Sequence, residues 1–320
     1  NTSTNQGLPQ KACADLRTLT CKKAPRQPWE AATPRRLGVA GERVPWRGMP
    51  NRRDTWGGRD GAGAWASALA FSCAGFWLTA QLAVYSAPAP LVAYLLAFSC
   101  VVACTLGTAS QVPANTRACL VGCSAGLALL VGAAFGRSRV GLSLSGAAVL
   151  VALLLIGTGV GALVGRRIQH PGHLLFVAVV SSIADVWSVT QPGGISKAIV
   201  EEPLALSLAA LPWPLLGSDE LAPLLGVGDV VFTSLYLAAT RAHALPLRRS
   251  LLALSAAYAL TTALVVFTAR PIPVLPLLGA CFVIAQPAAR SVNALDRRRG
   301  ALVLTLIASA VVLWFLQRSL

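Results

Sequence analysis

The sequence predicts an all-α polytopic membrane protein with about nine transmembrane helices, and three observations carry that prediction. Of its 320 residues 55% are hydrophobic and only 12% are charged, so most of the chain suits an apolar surrounding better than water. The apolar residues gather in stretches of about 20, the length a helix needs to cross the hydrocarbon core of a bilayer. The basic residues fall between those stretches and favour alternate loops.

Residues 1–63 come before the first stretch. They hold 12 Lys or Arg against 5 Asp or Glu, six prolines and no apolar run able to form a core, so they read as a basic disordered arm. Such a charge suits a solvated cytoplasmic tail that touches anionic lipid, and no nucleic-acid partner is expected. The arm lacks the apolar h-region of a cleavable signal peptide. Spans are then expected at 64–85, 90–111, 118–136, 140–165 and 172–190, and further ones at 221–240, 250–269, 271–289 and 300–317. The connections at 112–117 and 137–139 are short enough to make their neighbours antiparallel hairpins. The chain therefore divides into the arm, N-terminal helices over 64–171, a core over 172–289 and an additional C-terminal helix within 290–320.

Orientation follows from the charges. With the arm inside, the inner loops carry 22 Lys or Arg and the outer loops 5, and the bias survives removal of the arm at 10 against 5. The N-terminus is expected in the cytoplasm and the segment 191–220, with four acids and one lysine, outside. A bias toward Ala, Leu and Arg suits a GC-rich bacterial genome, and the expected address is the bacterial cytoplasmic membrane.

Asp185 and Asp229 are the only Asp, Glu, Lys or Arg residues within these spans. Each carries an insertion cost of roughly 2.5–3.5 kcal/mol at the bilayer centre, which makes both functional candidates. Asp229 closes the sequence Gly226-Val227-Gly228-Asp229, where two glycines clear space beside the acid. In antiparallel fifth and sixth spans, the two carboxyls would lie roughly 8 and 12 Å from the outer helix ends and face each other. A carboxyl pair in a poorly hydrated site shares one proton, so one member acts as base toward a water while the other protonates the developing oxyanion.

A third element is Pro271-Ile272-Pro273-Val274-Leu275-Pro276, whose prolines delay helix formation at the entrance of the eighth span. The unwound stretch would leave backbone groups for an extended peptide. Cys100 with Cys104, and Cys119 with Cys123, share helix faces as small packing residues, and His170, His173 and His243 sit at span ends. No metal site and no cofactor is expected.

These residues resemble the presenilin and signal peptide peptidase type of intramembrane aspartyl protease. Gly226-Val227-Gly228-Asp229 looks like that family's GxGD, and Pro273-Val274-Leu275 looks like its PAL motif with Val in place of Ala. Asp185 stands at the first catalytic aspartate, with Ala184 where Tyr usually precedes. Asp185-Val186-Trp187-Ser188-Val189, then Pro192, Gly194, Lys197 and Val200-Glu201, are similar to the presenilin sequence after that aspartate. The resemblance covers about 172–289. It implies a presenilin-like helical bundle, a catalytic pair of Asp185 and Asp229, and substrate alignment by Gly226, Val227, Gly228, Pro273, Val274 and Leu275. The partners it implies are transmembrane helices of other membrane proteins or signal-peptide remnants. The residues also leave open a secondary transporter or channel that binds protons or cations at the two acids, a prepilin peptidase, and a noncatalytic scaffold.

Overall fold

The computed structural model describes residues 61–136 except 84, 86 and 87, then 142–191, 201–218, 220–268 and 272–292, with isolated positions at 194, 198, 199, 297, 298, 300–302, 305 and 309. Residues 1–60 of the expected arm, Pro192, Lys197, Val200 and Pro271, and most of the span expected at 300–317 lie outside the described residues.

The described chain is mostly helical. Helices α1 (Gly61–Ala83), α2 (Pro90–Ser110), α3 (Thr116–Gly136), α4 (Leu142–Gly165) and α5 (His173–Thr190) follow one another, and a short α6 (Pro203–Ala209) leads into strands β1 (Ala210–Pro214) and β2 (Leu221–Gly226). Helices α7 (Val227–Ala242), α8 (Leu247–Thr268), α9 (Leu275–Ala285) and α10 (Pro287–Arg290) complete the order. Among the described residues six helices, α1 to α5 and α8, are long and apolar enough to cross a membrane. Their outward faces carry large apolar side chains such as Phe71, Trp77, Phe135 and Phe267, which suits contact with lipid.

Two expected spans differ. The sixth, expected over 221–240, starts as strand β2 and becomes helical only at Val227. Pro223 explains the change, because it donates no amide and drives the residue before it toward an extended backbone. Its partner strand contains Pro212 and Pro214, and the two strands pair antiparallel with Pro212 opposite Pro223. Gly217, at φ 83°, supplies the left-handed residue in the turn between them. The eighth span, expected over 271–289, contributes an 11-residue helix that stops before Pro287. At 1.5 Å per residue, α9 is about 16 Å long and α7 about 24 Å, both shorter than a hydrocarbon core of about 30 Å.

Packing rather than hydrophobicity must join such helices, because lipid tails are as apolar as leucine. Helix α4 meets that need with a strip of glycines. A Cβ built on Gly157 would lie 2.8 Å from Val230, one on Gly161 would meet the carbonyl oxygen of Val231, and one on Gly165 would meet that of Leu235. Contacts that ascend together along both chains make α4 and α7 parallel and nearly touching backbone to backbone. Ser234 Oγ donates to the Thr158 carbonyl at 2.7 Å across the same seam. On its other side α4 receives α3 antiparallel, with Gly126 against Ala152 and Ile156, and Gly159 against Cys119 and Cys123. The expected role of those cysteines in helix packing fits this arrangement, and all six described cysteines are free thiols.

The ends of α4 and α7 reach one level of the bundle. Arg166 donates to the carbonyls of Pro113 and Ala114, and Arg241 donates to that of Val112 at 3.2 Å. His243 Nε2 meets the Ile168 carbonyl at 3.1 Å. At the other level the Gly217 amide donates to the Ala83 carbonyl at 3.1 Å, tying the hairpin turn to the end of α1. Trp213, fully buried on β1, packs edge-on against Phe76 of α1 with centroids 5.6 Å apart.

The seam predicts unequal costs for one methyl group. Gly161→Ala should destabilise the purified protein by about 1–3 kcal/mol, the range for overpacking a tight contact. Gly107→Ala, where a Cβ meets nothing within 4 Å, should be neutral or slightly stabilising. Thermal unfolding in detergent checks this, and equal midpoints for the two variants would contradict the seam.

Candidate active site

Asp185 lies on α5 five residues before its last residue, as the sequence predicts, and is half-buried. Its Oδ2 accepts a hydrogen bond from the Leu275 amide at 2.9 Å, and the Val274 amide also reaches the carboxylate. Leu275 is the first residue of α9. The amides of a first helical turn have no partner within their own helix, so Asp185 caps α9 from a distance of 90 positions in the chain. A charge there also gains from the positive end of the helix dipole.

Asp229 differs from its expected depth. It is the third residue of α7, in the first turn, because the residues expected to form the outer part of its span belong to β2. Gly226 is the N-cap, and its amide reaches back to the Asp229 carboxylate. This is half of a capping box, in which an acid at the third helical position binds the N-cap amide. Both aspartates therefore sit at the N-terminus of a short helix, one by sequence and one by docking. The charge of Asp185 acts on the Asp229 carboxyl, which places the two acids near each other.

The helix between them is α9. Its Gly279 packs on Ala178 of α5, where a Cβ would lie 2.9 Å from the Ala178 Cβ, and its Phe282 ring stacks on Tyr236 of α7 at 4.5 Å. The main partner of α5 is thus α9 rather than α7, and the two acids converge through a third helix instead of a direct hairpin contact. Lower down, Gln286 donates to Ser250 Oγ at 2.8 Å and to the Pro246 carbonyl at 3.1 Å, while Ser250 and Thr240 share a hydrogen bond of 2.9 Å. That network fixes the far end of α9 against α7 and α8.

The other expected site residues cluster here unevenly. Gly228 is exposed and a Cβ on it would meet nothing within 4 Å, so its side of Asp229 is open. A Cβ on Gly226 would stand 3.5 Å from Asp229 Oδ2, in ordinary contact. Val227 lies half-buried against the main core. Pro273 and Val274 precede α9 outside regular helix, as the prolines predict, but the Leu275 amide is engaged by Asp185 rather than left for a peptide. A separate cavity of about 240 Å³ lies between α3, α4, α6 and the hairpin, lined in part by Leu204, Ser207, Pro212 and Pro223, and includes neither aspartate.

The sequence does not announce the glycine strip of α4 or two buried tyrosines, Tyr236 on α7 against Phe282 and Tyr258 on α8 against Thr233. The spacing Gly157, Gly161, Gly165 was the available signal, since residues four apart share a helix face. Comparison with models of protein families, with curated proteins and with solved structures finds no match to this chain.

Capping across the site has a measurable consequence. Asp185→Ala should leave the first amides of α9 unpartnered and cost about 1–2 kcal/mol, whereas Asp185→Asn keeps an acceptor and should cost less. Amide hydrogen exchange over residues 274–278 should accelerate in the alanine variant more than in the asparagine variant. Equal exchange in the two would show that the carboxyl group does not cap this helix.

Proposed function

We propose that this chain is an intramembrane aspartyl endopeptidase of the presenilin and signal peptide peptidase type, cutting peptide bonds within transmembrane helices. The observation that supports this most is the hydrogen bond from the Leu275 amide to Asp185, which joins the first acid to the proline segment across 90 positions, with the charge of Asp185 acting on Asp229. On this reading the described helices belong to a presenilin-like bundle of about nine.

The chemistry follows from the pair. Two carboxyls in a site poor in water hold one proton between them. The ionised member takes a proton from water as the water attacks the scissile carbonyl, while the protonated member donates to the oxyanion; on collapse the first member passes the water's proton to the leaving amine and the second takes its proton back from the gem-diol hydroxyl. The two helix N-termini at the site favour the negative charge that remains. A peptide must be extended at the bond to be cut, and β2 runs straight into Gly226 and Asp229, so its free edge supplies backbone groups for an extended stretch of substrate. The open side of Gly228 gives that stretch access.

The purified protein is expected to cleave a transmembrane peptide in detergent or liposomes. Asp185→Asn and Asp229→Asn should each lower the rate at least about a hundredfold, the scale of lost general acid–base catalysis. Both should keep a thermal midpoint near that of the unsubstituted chain. Turnover within about tenfold by either variant would rule out the dyad. A transporter using the same acids would move protons or cations in liposomes and leave the peptide intact.

The proposed address is the bacterial cytoplasmic membrane with the N-terminus inside, which puts the loop between α5 and α7 outside and favours substrates whose N-terminus is cytoplasmic. A Ser218→Cys variant lacking the native cysteines should react with a membrane-impermeant maleimide in intact cells. Labelling only after permeabilisation would reverse the orientation and the substrate preference with it.

A further inference from the structure

Tyr258 lies on α8 with its ring fully buried and Phe98 of α2 edge-on to it, centroids 6.3 Å apart. A phenol hydroxyl removed from solvent needs a partner, and both partners here lie on α7. Its oxygen is 2.7 Å from Thr233 Oγ1, and its hydroxyl points at the Asp229 main-chain carbonyl at 3.5 Å. With Tyr258 donating to that carbonyl, Thr233 donates to Tyr258. Thr233 follows Asp229 by four residues, one helical turn, so the hydroxyl grips the helix at both ends of the turn that carries the acid.

That turn has few polar holds of its own. Apart from the Asp229 carboxylate itself no side chain caps the N-terminus of α7, and a Cβ on Gly228 would meet nothing within 4 Å. First-turn residues lack intrahelical partners for their amides and fray more readily than interior ones. The glycine strip of α4 meets α7 at Val227 and Val230, on either side of Asp229 in the chain, through apolar side chains alone. The only described side-chain hydroxyl bonded to the Asp229 backbone is that of Tyr258.

We propose that Tyr258, acting with Thr233, is a positioning residue for Asp229, holding the first turn of α7 in the register that brings its carboxyl to Asp185. The proposal rests on the reading of Asp229 as one half of the catalytic pair. In this role Tyr258 acts through the Asp229 main-chain carbonyl and takes no part in proton transfer.

Four variants test it: Tyr258→Phe, Thr233→Val, Thr233→Ser and the Tyr258→Phe/Thr233→Val double. Each is measured for kcat and KM on a transmembrane peptide and for amide exchange over residues 227–233. Tyr258→Phe and Thr233→Val should each lower kcat about tenfold with KM unchanged, the effect of one buried hydrogen bond on a catalytic group's position. Thr233→Ser, which keeps the hydroxyl, should stay within about twofold of the unsubstituted enzyme, and the double variant should be no slower than Tyr258→Phe. Exchange over 227–233 should rise in the same three variants and not in Thr233→Ser. A Tyr258→Phe variant with unchanged kcat, or losses that track a general fall in thermal stability with KM rising alongside, would overturn the proposal. If the unsubstituted protein cleaves no peptide, the protease reading fails on its own, and unchanged exchange in Tyr258→Phe would still refute the tether.

Discussion

The close parallel contact of α4 with α7 is the constraint on which the other positions depend. Gly157, Gly161 and Gly165 present bare backbone to α7, and the Ser234–Thr158 hydrogen bond locks the axial register of the pair. In a medium where apolar surfaces gain little by meeting each other, such close approach supplies the dispersion contacts that fix one helix against the next. With α7 seated, Tyr236 and Phe282 place α9, Gly279 places α5 on α9, and Asp185 arrives at the start of α9. The order of dependence runs from a strip of missing side chains to the location of a carboxylate.

The bundle divides its labour by helix length. Long apolar helices α1, α2, α3, α5 and α8 face outward with large side chains, α4 runs buried between α3 and α7, and the short helices α7 and α9 and the proline-bearing hairpin are held among them. Backbone outside regular helix is tolerable at membrane depth only where protein or a water-filled space satisfies it. The chain uses that allowance at residues 221–226 and 272–274, and both places adjoin an aspartate. Two helix starts in the interior create unpartnered amides, and the two acids are what answer them. A carboxyl group at either position therefore has a folding role as well as the catalytic one proposed for it, which explains why substitution by a neutral acceptor and by alanine are different experiments.

Much of the architecture was readable because hydropathy reports burial in lipid directly. The five helices from α1 to α5 fall within three residues of their expected bounds, and Asp185 sits at its expected distance from the helix end. The hairpin was harder to read, since Leu221 to Gly226 is as apolar as a span and average hydropathy does not distinguish a buried strand from a buried helix. Pro223 carried the missing information, as did Pro212 and Pro214 on the partner strand. The convergence of α5 on α9 rather than on α7 was not legible at all. It depends on Gly279 meeting Ala178 across a long sequence separation, and one small residue among many announces no partner. Tyr258 is a similar case: an aromatic residue in an apolar span looks like packing until the atom its hydroxyl touches is known.

The arginines at the ends of α4 and α7 have a consequence for how the chain is made. Two parallel helices finish side by side there, so their negative dipole ends accumulate at one level, and Arg166 and Arg241 sit among them while gripping the loop at 112–114. The arginines that the charge pattern assigns to the inner loops also close this end of the bundle. A nascent chain threaded with either helix reversed would place its arginine at the opposite face, away from the 112–114 carbonyls, and would lose the seam with its neighbour at the same time. The seam and the arginine contacts thus stand or fall together, and an inverted helix would be an unpacked one.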